Sequence, residues 1–307
     1  MRYLIPVFLW CVLLLIPSHA RASILLNFQS PITAKEVVVF DVTTDTLMLE
    51  KNGYEPRPIA SLTKLMTAVV FLDTHTSFNK KVTITQKDQS IGSRLGLKNG
   101  SIVTTGDLFH AMLSVSANDA AKALVRSSGL THTQFIQRMN KKALSWGLKS
   151  THFAEETGLS PDNVSTAVEY ALLAKRTLDK AKIANATTLK TYTFKNLTTK
   201  KSITIKNKNP LLGSELHITG TKTGFIDESD LNLMARSEKD GRTLIAVVLG
   251  SHTGGSYHFK EVTGLLEAAW KEKAPLKPEK SRILATPKKE KLVPDQISVK
   301  SLSMKAE

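Results

Sequence analysis

Pro58-Ile59-Ala60-Ser61-Leu62-Thr63-Lys64-Leu65-Met66-Thr67-Ala68-Val69-Val70 is the stretch on which the chain's chemistry and fold turn. At about 100° per residue, Leu62, Leu65, Met66, Val69 and Val70 fall on one side of a helix, and Ser61, Lys64, Thr67 and Ala68 on the other. A helix over about 61–74 would bury the first side. It would hold Ser61 in its first turn with Lys64 one turn along on the same face. A serine hydroxyl is a weak nucleophile and needs a base. A lysine amine can be that base if burial or a second cation lowers its pKa. The helix N-terminus adds free N–H groups and the positive end of the dipole.

Ser-x-x-Lys alone is common and also describes a serine cap ahead of an exposed lysine. Ser77-Phe78-Asn79-Lys80 has the same form, without an apolar stripe behind it, and reads as a polar loop. Two further signals separate the readings. Ser116-Ala117-Asn118 sits between two predicted helices, where a loop can present both side chains. Lys222-Thr223-Gly224 sits at the start of a predicted late strand. Ser-x-x-Lys, Ser-x-Asn and Lys-Thr-Gly in that order are the motif set of penicillin-binding proteins and class A β-lactamases.

Around these motifs the pattern predicts a hairpin from strands at 37–42 and 47–50, turning at Thr44-Asp45. Helices follow near 105–114, 118–128, 132–146 and 165–178, and Thr104 to Asp107 has the form of a capping box. Residues 189–206 alternate β-branched and polar side chains and read as strands. Two late strands flank a turn at Lys239-Asp240-Gly241, and a helix covers about 257–271. The order predicts an antiparallel sheet drawn from both ends of the chain, flanked by helices and carrying a helical insert, an α/β (α+β) architecture.

The chain has 307 residues and a formal charge of +15. It is 41% apolar, 6% aromatic and 22% charged, which excludes wholesale disorder and collagen-like repeats. Residues 1–22 read as a secretory signal: Arg2, an apolar run to Ile16, then Ala20-Arg21-Ala22 as a small-x-small cleavage site. Cleavage there would remove the single cysteine, Cys11, and two positive charges. An exported chain without thiols fits an oxidising compartment, the periplasm or the outer face of the cytoplasmic membrane. It also makes nucleic acid a poor partner and an anionic envelope surface a better one. Residues 23–270 read as one catalytic unit. Residues 271–307 hold four prolines and ten basic against five acidic residues, and read as a solvated tail with at most weak membrane-surface or wall contact. No Cys-rich or His-Glu-x-x-His metal site is present, and no cofactor is expected. His252 and His258 read as surface or cap residues, and Glu155 and Glu156 as part of a solvated loop.

The chain resembles the low-molecular-mass penicillin-binding proteins of the D-alanyl-D-alanine carboxypeptidase family. The resemblance runs from about 35 to 270 through Ile59 to Ala68, Ser116 to Ala121, Met139-Asn140, Thr157-Gly158-Leu159, Lys222 to Phe225, and Val247 to Gly250. It implies a penicillin-binding transpeptidase/β-lactamase-like fold and a serine peptidase of peptidoglycan stem peptides, with β-lactams as covalent inhibitors. By that resemblance Ser61 attacks the carbonyl between two D-alanines and Lys64 takes its proton. Ser116 passes a proton to the leaving amine, and Asn118 holds the substrate amide. Lys222 and Thr223 bind the terminal carboxylate, Gly224 lets the substrate lie against the strand, and the N–H groups of Ser61 and Phe225 form the oxyanion hole.

The chain departs from many family members at Asp227-Glu228-Ser229-Asp230, where a small Ala-Gly pair is common, and in lacking an arginine soon after Gly250. The Ser256-Tyr257-His258-Phe259-Lys260 segment after Gly250, Ser93-Arg94 and the short tail resemble the D-alanyl-D-alanine endopeptidase branch, which cuts D-Ala–diaminopimelate cross-links and lacks a second β-rich domain. Carboxypeptidase is the main expectation and endopeptidase the alternative. A β-lactamase or an inactive β-lactam-binding homologue are further ones. Glu228-Ser229-Asp230-Leu231-Asn232 has the letters of the lactamase Glu-x-x-Leu-Asn motif, but it follows Lys-Thr-Gly and runs into a predicted strand, so it reads as a decoy.

Overall fold

The computed structural model describes residues 32–252 and 254–272. The expected signal segment, Cys11 and all but the first two residues of the expected tail lie outside them. Strands β1 (Glu36–Asp41) and β2 (Thr46–Lys51) form the first hairpin, and β9 (Ile218–Ile226), β10 (Asp230–Lys239) and β11 (Arg242–Ser251) come from the far end of the chain. They join in one sheet of order β2-β1-β11-β10-β9 with antiparallel neighbours. The sheet built from both ends of the sequence is therefore present, and β9 is one of its edges.

Both faces of the sheet are covered, which is why β1 and most of β11 are buried at consecutive positions rather than at every second one. Val37, Val39, Leu233, Ala246 and Val248 pack with Val262, Leu265 and Leu266 of the last helix, Tyr257–Lys271. Val38, Phe40, Met234, Ile245 and Val247 face the other way into the main core with the helical insert.

That insert contains α1 (Lys64–Asp73), α2 (Thr105–Ser114), α3 (Asn118–Ser127), α4 (His132–Ser145), α5 (Ala167–Leu178) and α6 (Ala181–Thr188). The Thr104–Asp107 capping box forms, with the Thr104 side chain accepting from the Asp107 N–H and Asp107 accepting from the Thr104 N–H. Short pairs β3 (Arg57–Pro58) with β6 (Val164–Ser165) and β4 (Lys81–Thr83) with β5 (Ile102–Thr104) tie the loops together. Strands β7 (Thr191–Lys195) and β8 (Ser202–Lys206) make a separate hairpin.

Three local differences from the sequence reading matter. The helix expected at 61–74 begins as a 3₁₀ turn over Ala60–Thr63, with Ala60 at φ 48°, and becomes α-helical only at Lys64. It is also buried on both sides: Lys64, Thr67 and Ala68 are as inaccessible as Leu65 and Met66. Its second side, the one that carries Ser61 and Lys64, is covered by distant chain and is interior as well. Finally, α6 occupies 181–188, where no element was expected, because Lys180-Ala181-Lys182 and the threonines that follow carry little apolar periodicity.

Candidate active site

Ser61 lies in the 3₁₀ turn and Lys64 begins α1, so a single turn of backbone separates them. Lys64 Nζ is 2.8 Å from Ser61 Oγ. The same nitrogen donates to Asn118 Oδ1 at 2.6 Å and to the carbonyl oxygen of Thr157. Those two partners are acceptors only in this orientation. As an ammonium Nζ donates to all three oxygens; once it loses a proton, its two N–H groups can stay with Asn118 and Thr157, and the lone pair is left for the Ser61 hydroxyl.

Burial fits that protonation state. Lys64 is fully buried, and desolvation brings its pKa down to about 7, against a smaller upward pull from Glu155 and Glu156. Near neutral pH a large fraction of Lys64 is a free base in contact with a hydroxyl.

Ser116 lies between α2 and α3 in the left-handed region, φ 60°, which turns its side chain toward β9. Lys222 Nζ donates to Ser116 Oγ at 3.0 Å and to the Thr223 carbonyl at 2.8 Å. Lys222 is buried, and its pKa is pushed well below the usual lysine value, first by desolvation and then by the nearby Lys64 charge. Lys222-Thr223-Gly224 sits in the middle of β9 rather than at its start, because the strand begins four residues earlier at Ile218.

Asn118 does two tasks. Its Oδ1 accepts from Lys64, and its Nδ2 donates to the Ile91 carbonyl at 2.8 Å. Next to it, Asp119 accepts from the N–H groups of Leu95 and Gly96, each at 2.9 Å. The Ser93–Leu95 loop is thereby fixed beside the site.

Gly224 sits where its strand crosses the 3₁₀ turn. A Cβ there would lie 2.8 Å from the Ile59 oxygen and 3.1 Å from the Ser61 nitrogen. Phe225 follows, half exposed on the edge strand. A cavity of about 710 Å³ runs along this edge, bounded by Ser93 and Arg94, Ser116, β9 from Thr221 to Phe225, and β8 with the residues after it. The arrangement brings together Ser61, Lys64, Ser116, Asn118, Lys222, Thr223, Gly224 and Phe225. It offers a hydroxyl with a neutral amine, a second hydroxyl with a second buried lysine, and an open strand edge.

Several residues hold places other than those the sequence reading gave them. Glu155 and Glu156 do not sit in a solvated loop. Glu155 Oε2 accepts from the Thr157 N–H and hydroxyl, both at 2.6 Å, and Oε1 accepts from the Gly158 N–H and from Asn163 Nδ2. This fixes the Thr157 carbonyl that Lys64 uses. Glu156 is buried, with His132 Nε2 at 2.7 Å. His258 is buried at one end of the cavity rather than at the surface. Thr157-Gly158-Leu159 was the available signal for the loop, but a carbonyl acting as ligand leaves no mark in residue type. Asn232, in the lactamase-like letters, is structural: its amide bridges the Pro58 carbonyl and the Gly250 N–H. Among the described residues no group of His, Cys, Asp or Glu is placed to hold a metal ion.

Residues 25–253 match the sequence model of the D-alanyl-D-alanine carboxypeptidase family. The chain is 34% identical over 238 residues to a D-alanyl-D-alanine endopeptidase of Haemophilus influenzae, covering 76% of this chain and 81% of that protein. It is 30% identical over 246 residues to the D-alanyl-D-alanine carboxypeptidase DacF of Bacillus subtilis, covering 78% of this chain and 62% of that one. Among solved structures, penicillin-binding protein D2 of Listeria monocytogenes in its cefotaxime-bound form is similar at 30% identity with a TM-score of 0.71. That likeness covers 79% of this chain and 99% of that one.

Proposed function

The chain belongs to the D-alanyl-D-alanine carboxypeptidase family of serine peptidases, and from that premise we propose that it is an exported D-alanyl-D-alanine endopeptidase acting on peptidoglycan cross-links. The observation that carries the catalytic part is the contact of the buried Lys64 amine with Ser61 Oγ at 2.8 Å. The endopeptidase part is supported by the 34% identity to the Haemophilus influenzae endopeptidase. That displaces carboxypeptidase, the expectation from the family's usual activity, to second place.

In this reading Ser61 Oγ attacks the carbonyl carbon of the D-alanine at the cross-link, and its proton passes to the Lys64 lone pair. The oxyanion forms against the N–H groups of Ser61 and Phe225, where one donor is worth about 3–4 kcal/mol in a related kind of site. Ser116, polarised by Lys222, gives its proton to the amine of the departing diaminopimelate and recovers the one held by Lys64, which is then neutral again. The C–N bond breaks and leaves an ester on Ser61. Water then attacks the ester, giving its proton to Lys64, and the Ser61 hydroxyl and a free carboxylate are regenerated. Lys222 and Thr223 meet the anionic end of the substrate, and the missing side chain at Gly224 lets the peptide lie along β9.

Rapid β-lactam hydrolysis would need a carboxylate free to activate water. Glu155 is the carboxylate whose charge acts most on Lys64, and both its oxygens are taken by loop donors. A β-lactam should therefore acylate Ser61 and leave slowly. The export part of the proposal rests on the reading of residues 1–22 as a secretory signal. No helix among the described residues is long and apolar enough to cross a membrane.

Purified muropeptides decide the bond. Incubation with cross-linked dimers and uncross-linked pentapeptides should consume the dimers and release no free D-alanine, and Ser61→Ala should do neither. Release of D-alanine with the dimers intact would make the protein a carboxypeptidase. No turnover of either would end the enzymatic reading.

A further inference from the structure

The segment from Lys180 to Ser214 holds eight lysines and no acidic residue. It forms α6, the β7–β8 hairpin and the chain leading to β9. Lys190, Lys195, Lys200, Lys201, Lys206 and Lys208 are exposed. Elsewhere the surface mixes its charges, with pairs such as Lys35–Asp230, Lys142–Asp73 and Lys175–Asp45. Among the described residues none of those six lysines is in an ion pair. Unneutralised like charges on one surface add their fields over a screening length of about 8–10 Å at moderate salt.

The hairpin has two distinct faces, as strand periodicity requires. Phe194, Ile203 and Ile205 pack inward with the main core, and β8 from Ile203 to Lys206, with Thr204 and Lys206 of its outward face included, lines the cavity beside the candidate active site. The outward face shows Thr191, Thr193 and Lys195 against Lys206, Thr204 and Ser202, with Lys200 and Lys201 at the turn. The Thr193 and Thr204 hydroxyls are 2.8 Å apart across it. The hairpin is held firmly: the Tyr192 hydroxyl donates to Asp107 Oδ1 at 2.9 Å, its ring stacks on His110 at 4.4 Å, and the Leu197 N–H donates to the Ile102 carbonyl at 2.7 Å. One rigid element thus serves as a wall of the groove and as a cationic, hydrogen-bonding outer surface.

We propose that the outer face of the β7–β8 hairpin is a docking surface for the carboxylate-bearing peptide network of peptidoglycan, engaged while a cross-link occupies the adjacent groove. This rests on the endopeptidase reading for the identity of the polymer. A cross-linked network does not end at the groove, so its neighbouring peptides must run over the groove's wall, and their free carboxylates meet a surface of lysines, threonines and serines. The outward positions of the two strands carry no aromatic side chain on which bases could stack, since Tyr192 and Phe194 turn inward, and no apolar side chain to enter a lipid layer; the turn adds one half-buried leucine, Leu197. Each exposed lysine–carboxylate contact is weak and salt-sensitive, so the surface works by number.

The test uses the full-length exported chain with Lys195→Gln, Lys200→Gln and Lys201→Gln, which avoid the cavity-lining Lys206 and Lys208. A control of equal charge carries Lys141→Gln, Lys149→Gln and Lys239→Gln, exposed positions that line no part of the cavity. Binding is read as co-sedimentation with purified sacculi, on a Ser61→Ala background so that the polymer stays intact. The hairpin variant should bind at least about fivefold more weakly at low salt, and the control should match the parent. Sacculi whose carboxyl groups have been amidated should hold the parent as poorly as native sacculi hold the hairpin variant. With Ser61 restored, acylation by a labelled penicillin and cleavage of a soluble muropeptide dimer should be unchanged by the hairpin substitutions. Equal binding by hairpin variant and control, full retention on amidated sacculi, or a loss confined to phosphatidylglycerol vesicles would each overturn the proposal. A parent that binds sacculi through the hairpin but cuts no dimer would refute the proposed reaction and leave the surface standing.

Discussion

Replacing Lys64 with alanine is expected to slow acylation of Ser61 by about 10³-fold or more, with the enzyme still folded. Among the described residues the amine is the only titratable group hydrogen-bonded to Ser61 Oγ, at 2.8 Å, which makes it the base placed to take that proton directly. The pH dependence tests the same assignment. With a pKa of about 7, Lys64 is a charged non-acceptor below that value and a free base above it. The acylation rate of the parent should therefore climb about tenfold per unit while pH rises toward 7 and flatten above it. In Lys64→Ala that limb should vanish along with the rate. Stability carries a related signature. The folded state holds Lys64 neutral between about 7 and the ordinary lysine value near 10.5, whereas the unfolded chain still binds the proton. The unfolded state then binds more protons in that window, so folding gains stability from this group as pH rises through it, and Lys222 adds in the same direction. Thermal unfolding of Lys64→Ala should show a smaller rise across the window than the parent. A variant that keeps the parent's rate, or its pH limb, would remove Lys64 from the role of base. Lys64→Ala also leaves Asn118 Oδ1 and the Thr157 carbonyl without their donor, at about 1–3 kcal/mol each. Circular dichroism should accompany the kinetics so that loss of fold is not read as loss of the base.

Gly158→Ala should be the most damaging substitution that touches no reacting group. Gly158 has φ +84°, and a Cβ there would lie 1.9 Å from the Ala60 oxygen and 2.7 Å from the Ser61 nitrogen. Those are backbone atoms of the turn that presents the nucleophile, so relief requires the Thr157–Leu159 loop or the 3₁₀ turn to move. Either motion separates Ser61, Lys64 and the Thr157 carbonyl. We expect destabilisation above about 4 kcal/mol, or, where the protein survives, acylation slowed by about 10²-fold through misplacement alone. Gly129→Ala is the comparison. Gly129 has φ +85° and open space around its Cβ position, so it carries the left-handed strain without the collision. It should cost about 1–2 kcal/mol and leave acylation untouched. Denaturant titration and penicillin kinetics on both variants separate the terms. Equal behaviour of the two would mean that close packing of the loop on the turn does not shape the site.

Much of this site was legible in the sequence because its main parts are short and local. Ser61 and Lys64 share one turn, Ser116 and Asn118 flank one residue, and Lys222 to Gly224 is a strand tripeptide. The sheet was legible from the Val37–Phe40 and Leu244–Leu249 runs. What escaped depends on chain far away in sequence or on backbone atoms. The Lys64–Thr157 contact spans 93 positions and uses a carbonyl, which every residue has. A helical wheel puts Thr67 beside Ser61 and Lys64 but does not show that the Glu156 carbonyl covers it, to which its hydroxyl donates at 2.7 Å. Glu155 and Glu156 read as solvated because acidic pairs in loops usually are, but loop N–H groups close around Glu155 and fix it as an acceptor. The left-handed Ala60 and Ser116 are held by tertiary packing against their local preference, and both adjoin the reacting groups. His258 was read by residue type as a surface group and is buried by the packing of the last helix at the end of the cavity.

The central claim is that Ser61 forms the covalent intermediate. The most direct measurement is mass spectrometry of the intact protein after brief exposure to benzylpenicillin, followed by proteolysis and mapping of the modified peptide. The account predicts one added penicilloyl group, located on Ser61, persisting over minutes, and absent from Ser61→Ala. An adduct on Ser116 or any other residue, an adduct that survives Ser61→Ala, or rapid hydrolysis of the drug with no lasting adduct would contradict it.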